Sequence, residues 1–309
     1  MTGMLRRERS VLVAYVLILV ALAILAPRFF QARPLADLAV RNASVLVAAV
    51  GMTLVILARQ IDISVGSQAS LCAVVAGLLA RSGLPMPVVG VGTLLAGAAM
   101  GAINGGLVAG LGLPSIVVTL ATLVIGRESL RYALEGAFVR GLPSNFQWFG
   151  LGQGPGRLAV VGIAVGVFLA FAWGMRSLAA GRAVYATGSD PEAARLAGLR
   201  PRWVTFSVFV AMGALTGLYA LLNVVQFPAV DPKTGTGLEM QVIAAVVVGG
   251  TAVSGGRGTM LGTLIGVLLL GTINPALVYL GTSAEWEKAI QGAIILLAVA
   301  SDGLTRRRA

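Results

Sequence analysis

The chain of 309 residues contains no histidine and a single cysteine, Cys72. The first absence removes imidazole metal ligands and imidazole general bases, and the second removes any disulfide within the chain. Cys72 lies inside an apolar run and reads as a small packing residue. Charged residues are scarce, 11% against 57% hydrophobic, where a soluble domain carries about a quarter charged. Only 12 residues are acidic, and they form no series through the apolar runs from which a proton relay could be built. A G-x-x-x-x-G-K-[ST] phosphate loop is missing, so the chain is not expected to bind ATP or any other cofactor itself, and no metal site is expected.

What remains is apolar. Mean hydropathy is +0.91, and the charges are segregated, leaving runs of roughly 20 residues, enough to cross about 30 Å of hydrocarbon as helix. These runs predict an all-α integral membrane protein with a single transmembrane domain over residues 1–309 and about ten transmembrane helices. The spans are expected near 11–26, 35–58, 65–80, 86–111, 114–133, 157–175, 203–226, 238–253, 259–280 and 286–300. The charged start and apolar core of 1–26 also match a secretory signal. The apolar run continues to Phe30 and further spans follow, which favours an uncleaved first span. The 41 glycines suit close helix packing in lipid.

The net charge of +11 sits at span ends, not on one polar face, which argues against nucleic acid as a partner. Arg6, Arg7, Arg9, Arg59, Arg176, Arg182, Arg195, Arg200, Arg202, Arg257 and Arg306 to Arg308 fall on one side. By the positive-inside rule that side is cytoplasmic, with both termini on it. Gly101-Ala102-Ile103-Asn104 recurs as Gly271-Thr272-Ile273-Asn274 in a span expected to run the opposite way. The echo reads either as an inverted repeat or as coincidence in a chain rich in glycine and isoleucine.

The longest polar interruption of the second half, about 176–203, carries a short helix with both ends written in. Asp190 is a good N-cap, Pro191 suits the first helical position and Glu192 favours the dipole. Ser189 with Glu192 offers a capping box one residue earlier. Gly198 fits the left-handed stop and Pro201 forbids continuation. The two turns between them hold Ala193, Ala194, Arg195, Leu196 and Ala197, whose small apolar members suit insertion into a partner's groove or a place on the membrane surface.

Asp62 stands between two apolar runs, with Ser64 and Gly66 beside it. It reads either as a cap on the third span or as the holder of a gate or helix break. Glu128 and Arg131 are spaced to pair, and Arg127 is placed to snorkel. Polar residues inside the spans are mostly uncharged and suit helix–helix hydrogen bonds. Asn104, Thr122, Asn223 and Asn274 are the candidates for lining a path for a neutral hydroxylated solute.

Three stretches together resemble one family. They are Gly181-Arg182 through Gly188 with Glu192 to Leu199, Ile61-Asp62-Ile63-Ser64-Val65-Gly66, and Val248-Gly249-Gly250 with Gly255-Gly256-Arg257-Gly258-Thr259 and Gly262. In this order they are similar to the ribose-type sugar permeases of the branched-chain amino acid/sugar permease superfamily, over essentially the whole chain. Arg59 and Gln60 stand where that family usually has two glycines, and Asp190-Pro191 where it often has asparagine.

The resemblance implies a permease subunit of an ATP-driven importer in a bacterial inner membrane. Asp190 to Gly198 would then meet cytosolic subunits that hold ATP and magnesium. It further implies a second permease, identical or different, an extracytoplasmic sugar-binding protein, and contact with membrane lipid. The solute would be a monosaccharide or similar small polyol, furanose-like signalling molecules included. The rivals are an ion-coupled secondary transporter and an amino acid permease of the same superfamily. A membrane enzyme has too few acid–base groups to be built from.

Overall fold

The computed structural model describes residues 2–283 together with Trp286, Ala289, Ile290, Gly292, Ala293 and Leu296. Eleven α-helices lie in 2–283: α1 Thr2–Leu25, α2 Ala32–Leu57, α3 Val65–Arg81, α4 Met86–Gly105, α5 Ser115–Leu134, α6 Gln153–Ser177, α7 Ala179–Ser189, α8 Pro191–Leu196, α9 Pro201–Val224, α10 Leu238–Val248 and α11 Met260–Tyr279. A π-helical turn, Gly106–Gly110, prolongs α4. Among the described residues there is no strand, only one antiparallel bridge between Val139 and Val230.

Among the described residues five helices are long and apolar enough to cross a membrane: Ala32–Leu57, Met86–Gly110, Gln153–Ser177, Pro201–Val224 and Met260–Tyr279. The layering follows from which faces are apolar. Helix α2 is apolar all round and becomes the central rod, buried from Asn42 to Leu57. It packs against α6, α9, α10 and α11. The outer helices instead turn large apolar side chains outward, among them Leu17, Val91, Leu95, Ile125 and Leu158. In water so much exposed hydrocarbon would drive aggregation; against lipid it is the favourable arrangement.

The closest seam joins α4 to α9, and glycine makes it. A Cβ on Gly97 would lie 2.1 Å from the Gly213 carbonyl oxygen, and one on Gly101 2.2 Å from that of Phe209. Backbone therefore meets backbone, the close approach that small residues permit between membrane helices.

Two expectations are revised. The run 238–253 is not one helix: α10 is 11 residues long, about 16 Å of rise. It stops at Gly249 and Gly250, the latter at φ +95°. The 176–203 stretch holds a second helix, α7, before the expected one. The expected tenth span, 286–300, lies largely outside the described residues, and Arg306 to Arg308 lie wholly outside them.

Candidate functional site

The short helix α8 has the ends its sequence requires. The Asp190 carboxylate accepts from the N–H of Glu192 at 2.9 Å and of Ala193 at 3.1 Å, so Asp190, not Ser189, is the cap. Gly198 sits at φ +84°. The Leu199 N–H bonds the Ala194 carbonyl and the Gly198 N–H that of Arg195, both at 3.0 Å. That is a Schellman stop. Glu192 pairs with Arg195 through two hydrogen bonds, and this contact holds its carboxyl below the usual carboxylate range. Only Ala194 turns into the chain; Ala193, Ala197 and Leu196, the last 76% exposed, face outward.

Behind α8, helix α7 is clamped. A Cβ on Gly188 would lie 1.7 Å from the Leu57 carbonyl oxygen and 2.7 Å from the Gly256 nitrogen. The Gly256 N–H itself donates to Leu57 at 2.9 Å. Tyr185 adds a hydrogen bond to the Gly258 carbonyl at 2.9 Å. The end of α7, the end of α2 and the 255–258 turn therefore share one joint, although they are about 70 and 130 residues from one another in sequence.

Two residues beyond that joint along α2, the backbone turns left-handed at Arg59, φ +64°. The Gln60 and Arg59 N–H groups return to Val55 and Ile56, the same stop as in α8. Glycine favours this conformation, which costs an ordinary residue roughly 1–2 kcal/mol.

The chain then enters a buried polar network. Asp62 Oδ1 accepts from the Ser64 N–H at 2.9 Å and from the Ser64 hydroxyl at 2.5 Å, and Oδ2 accepts from Gln68 Nε2 at 3.3 Å. The Ser64 oxygen in turn accepts from Gln68 Nε2 at 2.7 Å and from Asn104 Nδ2 at 2.8 Å, which fills its capacity. All four residues are buried. Asp62, Ser64 and Asn104 are thus brought together, as a strut from α4 to the start of α3. Gln68 was missed, although its i+4 spacing from Ser64 puts it on the same helix face.

Gly66 has a different reason to be glycine. A Cβ there would lie 2.0 Å from Glu239 Oε2 and 2.7 Å from the Gly235 carbonyl oxygen. Glu239 belongs to the first turn of α10 and forms an ion pair with Arg127 of α5, Nη2 to Oε1 at 3.2 Å. Arg127 therefore does not simply snorkel, while Glu128 and Arg131 do pair, at 3.2 Å.

The segment before α10 explains the short helix. Val230 bridges Val139 beside Gly77, and Gly235 donates to the Ser70 hydroxyl at 3.0 Å. From Gly77 to Gly66 is about 16 Å along α3. Residues 226–237 thus run beside α3 as turns and lead into α10. Val230, Pro232 and Gly235 are buried in this segment, while Phe227, Pro228, Lys233 and Thr236 are exposed. Cavities of about 340 and 450 Å³ flank the segment. One is lined by Ser70, Arg127, Arg131 and Lys233, the other by Asn223, Phe227, Asp231 and Thr234. Asn223 thus lines a cavity well away from the Asp62 network. Thr122 meets that network only through its backbone carbonyl, which accepts from Ser67 at 3.4 Å. Asn274 lies on α11 and is half-buried there.

Asp62 is held only by neutral donors, which makes its worth testable. Asp62→Ala strips three buried donors of their acceptor, each costing about 1–3 kcal/mol, and should sharply lower the thermal midpoint. Asp62→Asn should retain most stability, because the Gln68 amide, whose Oε1 has no partner, can reverse to meet the new N–H. Equal losses in both variants would show that the negative charge itself is required.

A model of the family described as branched-chain amino acid transport system / permease component matches residues 35–299. The chain belongs to this permease family. The ribose import permease protein RbsC of Escherichia coli (strain K12) is 35% identical over 299 residues, 96% of this permease and 93% of that protein. The autoinducer 2 import system permease protein LsrC of Salmonella typhi is 34% identical over 300 residues, 97% of this permease and 86% of that protein. No solved structure matches the permease. Two of the stretches on which the resemblance rested meet at the Leu57–Gly188–Gly256 joint, and the third holds the Asp62 network.

Proposed function

We propose that this permease is the membrane subunit of an ATP-driven importer that brings a monosaccharide or similar small polyol across a bacterial inner membrane. The observation that carries this reading is likeness along nearly the whole chain to permeases named for ribose and autoinducer 2 import. A joint that links a partner-facing helix to the central rod supports it. In this reading ten spans leave both termini in the cytoplasm, and the matching Gly101–Asn104 and Gly271–Asn274 stretches belong to two inverted halves. The outward face of α8, Ala193, Leu196 and Ala197, meets a cytosolic subunit that binds ATP and magnesium. A second permease, identical or not, completes the pathway, and an extracytoplasmic binding protein delivers the solute. Exchange of ATP on the partner must favour one permease state over the other. The joint at Gly188 would pass that preference to the turn holding Asp62, Ser64 and Gly66. Asn104, Thr122, Asn223 and Asn274 would line the route.

Proteoliposomes holding the permease with its ATP-binding subunits and binding protein should take up labelled monosaccharide only with ATP and magnesium. Uptake by the permease alone, driven by an ion gradient, would overturn the reading. Uptake of leucine in place of sugar by the complete assembly would overturn the solute class but leave the coupling.

A further inference from the structure

At the α8 end of the molecule a cavity of about 350 Å³ opens among the turn after α2, the start of α5, α7 and the start of α9. Arg59 and Arg202 line it, and no carboxylate does among the described residues. Thr187 is also among its lining residues; it is 2% exposed, and its buried hydroxyl has no hydrogen-bond partner. Helices α5 and α9 both begin at this cavity without a side-chain cap, which leaves first-turn N–H groups for some other acceptor. Two cations, an unused hydroxyl and uncapped N–H groups ask for an oxyanion.

A second hollow lies beside the cavity. Ala109 and Arg202 also line a second, apolar groove of about 260 Å³, whose other walls are Gly106, Gly110, Trp203 and Phe206. The groove runs along the π-helical turn, where a Cβ on Gly106 or Gly110 would meet nothing within 4 Å. Trp203 is 64% exposed beside it and meets Phe206 edge to face at 5.8 Å. An aromatic residue at a helix start is suited to the headgroup level of a bilayer. A free anion would use the cavity and leave the groove empty. A molecule with an anionic head and a hydrocarbon tail would fill both.

We propose that the cavity and groove together hold one anionic phospholipid, its phosphate between Arg59 and Arg202 and an acyl chain along Gly106 and Gly110. Basic pockets between membrane helices take such head groups, and the shared residues Ala109 and Arg202 place the two hollows side by side. The lipid would bridge the turn after α2, which leads into the Asp62 network, and the start of α9, which follows the α8 stop. It would therefore stabilise the joint from the lipid side, whatever solute is carried.

Native mass spectrometry of the purified full-length chain, titrated with phosphatidylglycerol, phosphatidylcholine or inorganic phosphate, tests this. One retained phosphatidylglycerol per chain is expected, with phosphatidylcholine retained much less. Arg59→Gln/Arg202→Gln should weaken that retention roughly tenfold or more, Gly110→Leu should do so by filling the groove, and Arg202→Lys should keep it. Thermal midpoints of the lipid-free variants separate lost binding from lost fold; a Cβ at Gly110 meets nothing within 4 Å. Equal retention by wild type, the charge-removal variant and Gly110→Leu would overturn the site. Thermal protection by inorganic phosphate equal to that by phosphatidylglycerol would make it a free-anion site and overturn the lipid assignment.

Discussion

Gly188→Ala is expected to abolish ATP-driven uptake while the chain still inserts in the membrane. The added methyl would stand 1.7 Å from the Leu57 carbonyl oxygen, well inside any contact distance. That oxygen cannot step aside, because it is backbone and already accepts from the Gly256 N–H. Overpacking of this kind costs about 1–3 kcal/mol, occasionally more, and here the strain falls on the joint between α7, α2 and the 255–258 turn. The expected result is uptake reduced more than tenfold, with ATP hydrolysis no longer responsive to solute. Gly162→Ala is the control: it lies inside α6 with open space around it, and uptake should be unchanged. Normal uptake by Gly188→Ala would remove the joint from the mechanism.

The second large effect belongs to the Arg127–Glu239 pair. Arg127→Met leaves the Glu239 carboxylate, only 11% exposed at its side chain, without its cation. Its second oxygen already has no partner. Removing one member of a fully buried pair costs about 3–5 kcal/mol. Arg127 is 41% exposed, so screening brings the expectation nearer 1–3 kcal/mol. Thermal midpoint and uptake should both fall. Arg127→Met/Glu239→Gln should recover most of the loss, since the stranded charge is gone. A double variant as impaired as Arg127→Met would show that the arginine matters for something other than neutralising Glu239.

These two sites differ in how far the sequence reveals them. The caps of α8 are legible because a cap is local: Asp190 reaches two and three residues, and Gly198 acts through its own φ. The long apolar helices are legible because run length alone sets them. Helix α7 is not, because Ala179–Ser189 mixes glycine and polar residues, and its helicity depends on packing at Gly181, Val184 and Gly188. The Arg127–Glu239 pair joins residues 112 apart, and neither position has a neighbour that announces the other. Gly66 is visible as a glycine in a recognisable string, but its reason, the carboxylate of Glu239 pressing on its Cα, exists only in three dimensions. The end of α10 at Gly249 and Gly250 is a nearer miss, since paired glycines in an apolar run are a stop signal wherever lipid does not hold the chain straight.

The stretch 226–237 has an energetic consequence of its own. A helix of that length would be tied by about one ladder bond per residue. This segment is tied by local turns instead, such as Thr234 to Asp231, Thr236 to Lys233 and Leu238 to Gly235, with longer-range ties at the Val139–Val230 bridge, from Gln147 to the Gln226 carbonyl and from Gly235 to Ser70. Cavities lie on both of its sides. Helix α10 moves as a rod or not at all, but the coil above it can be reshaped by exchanging a few short bonds for equivalent ones. Any rearrangement of this coil would change the room available on either side of it, because its residues line both cavities.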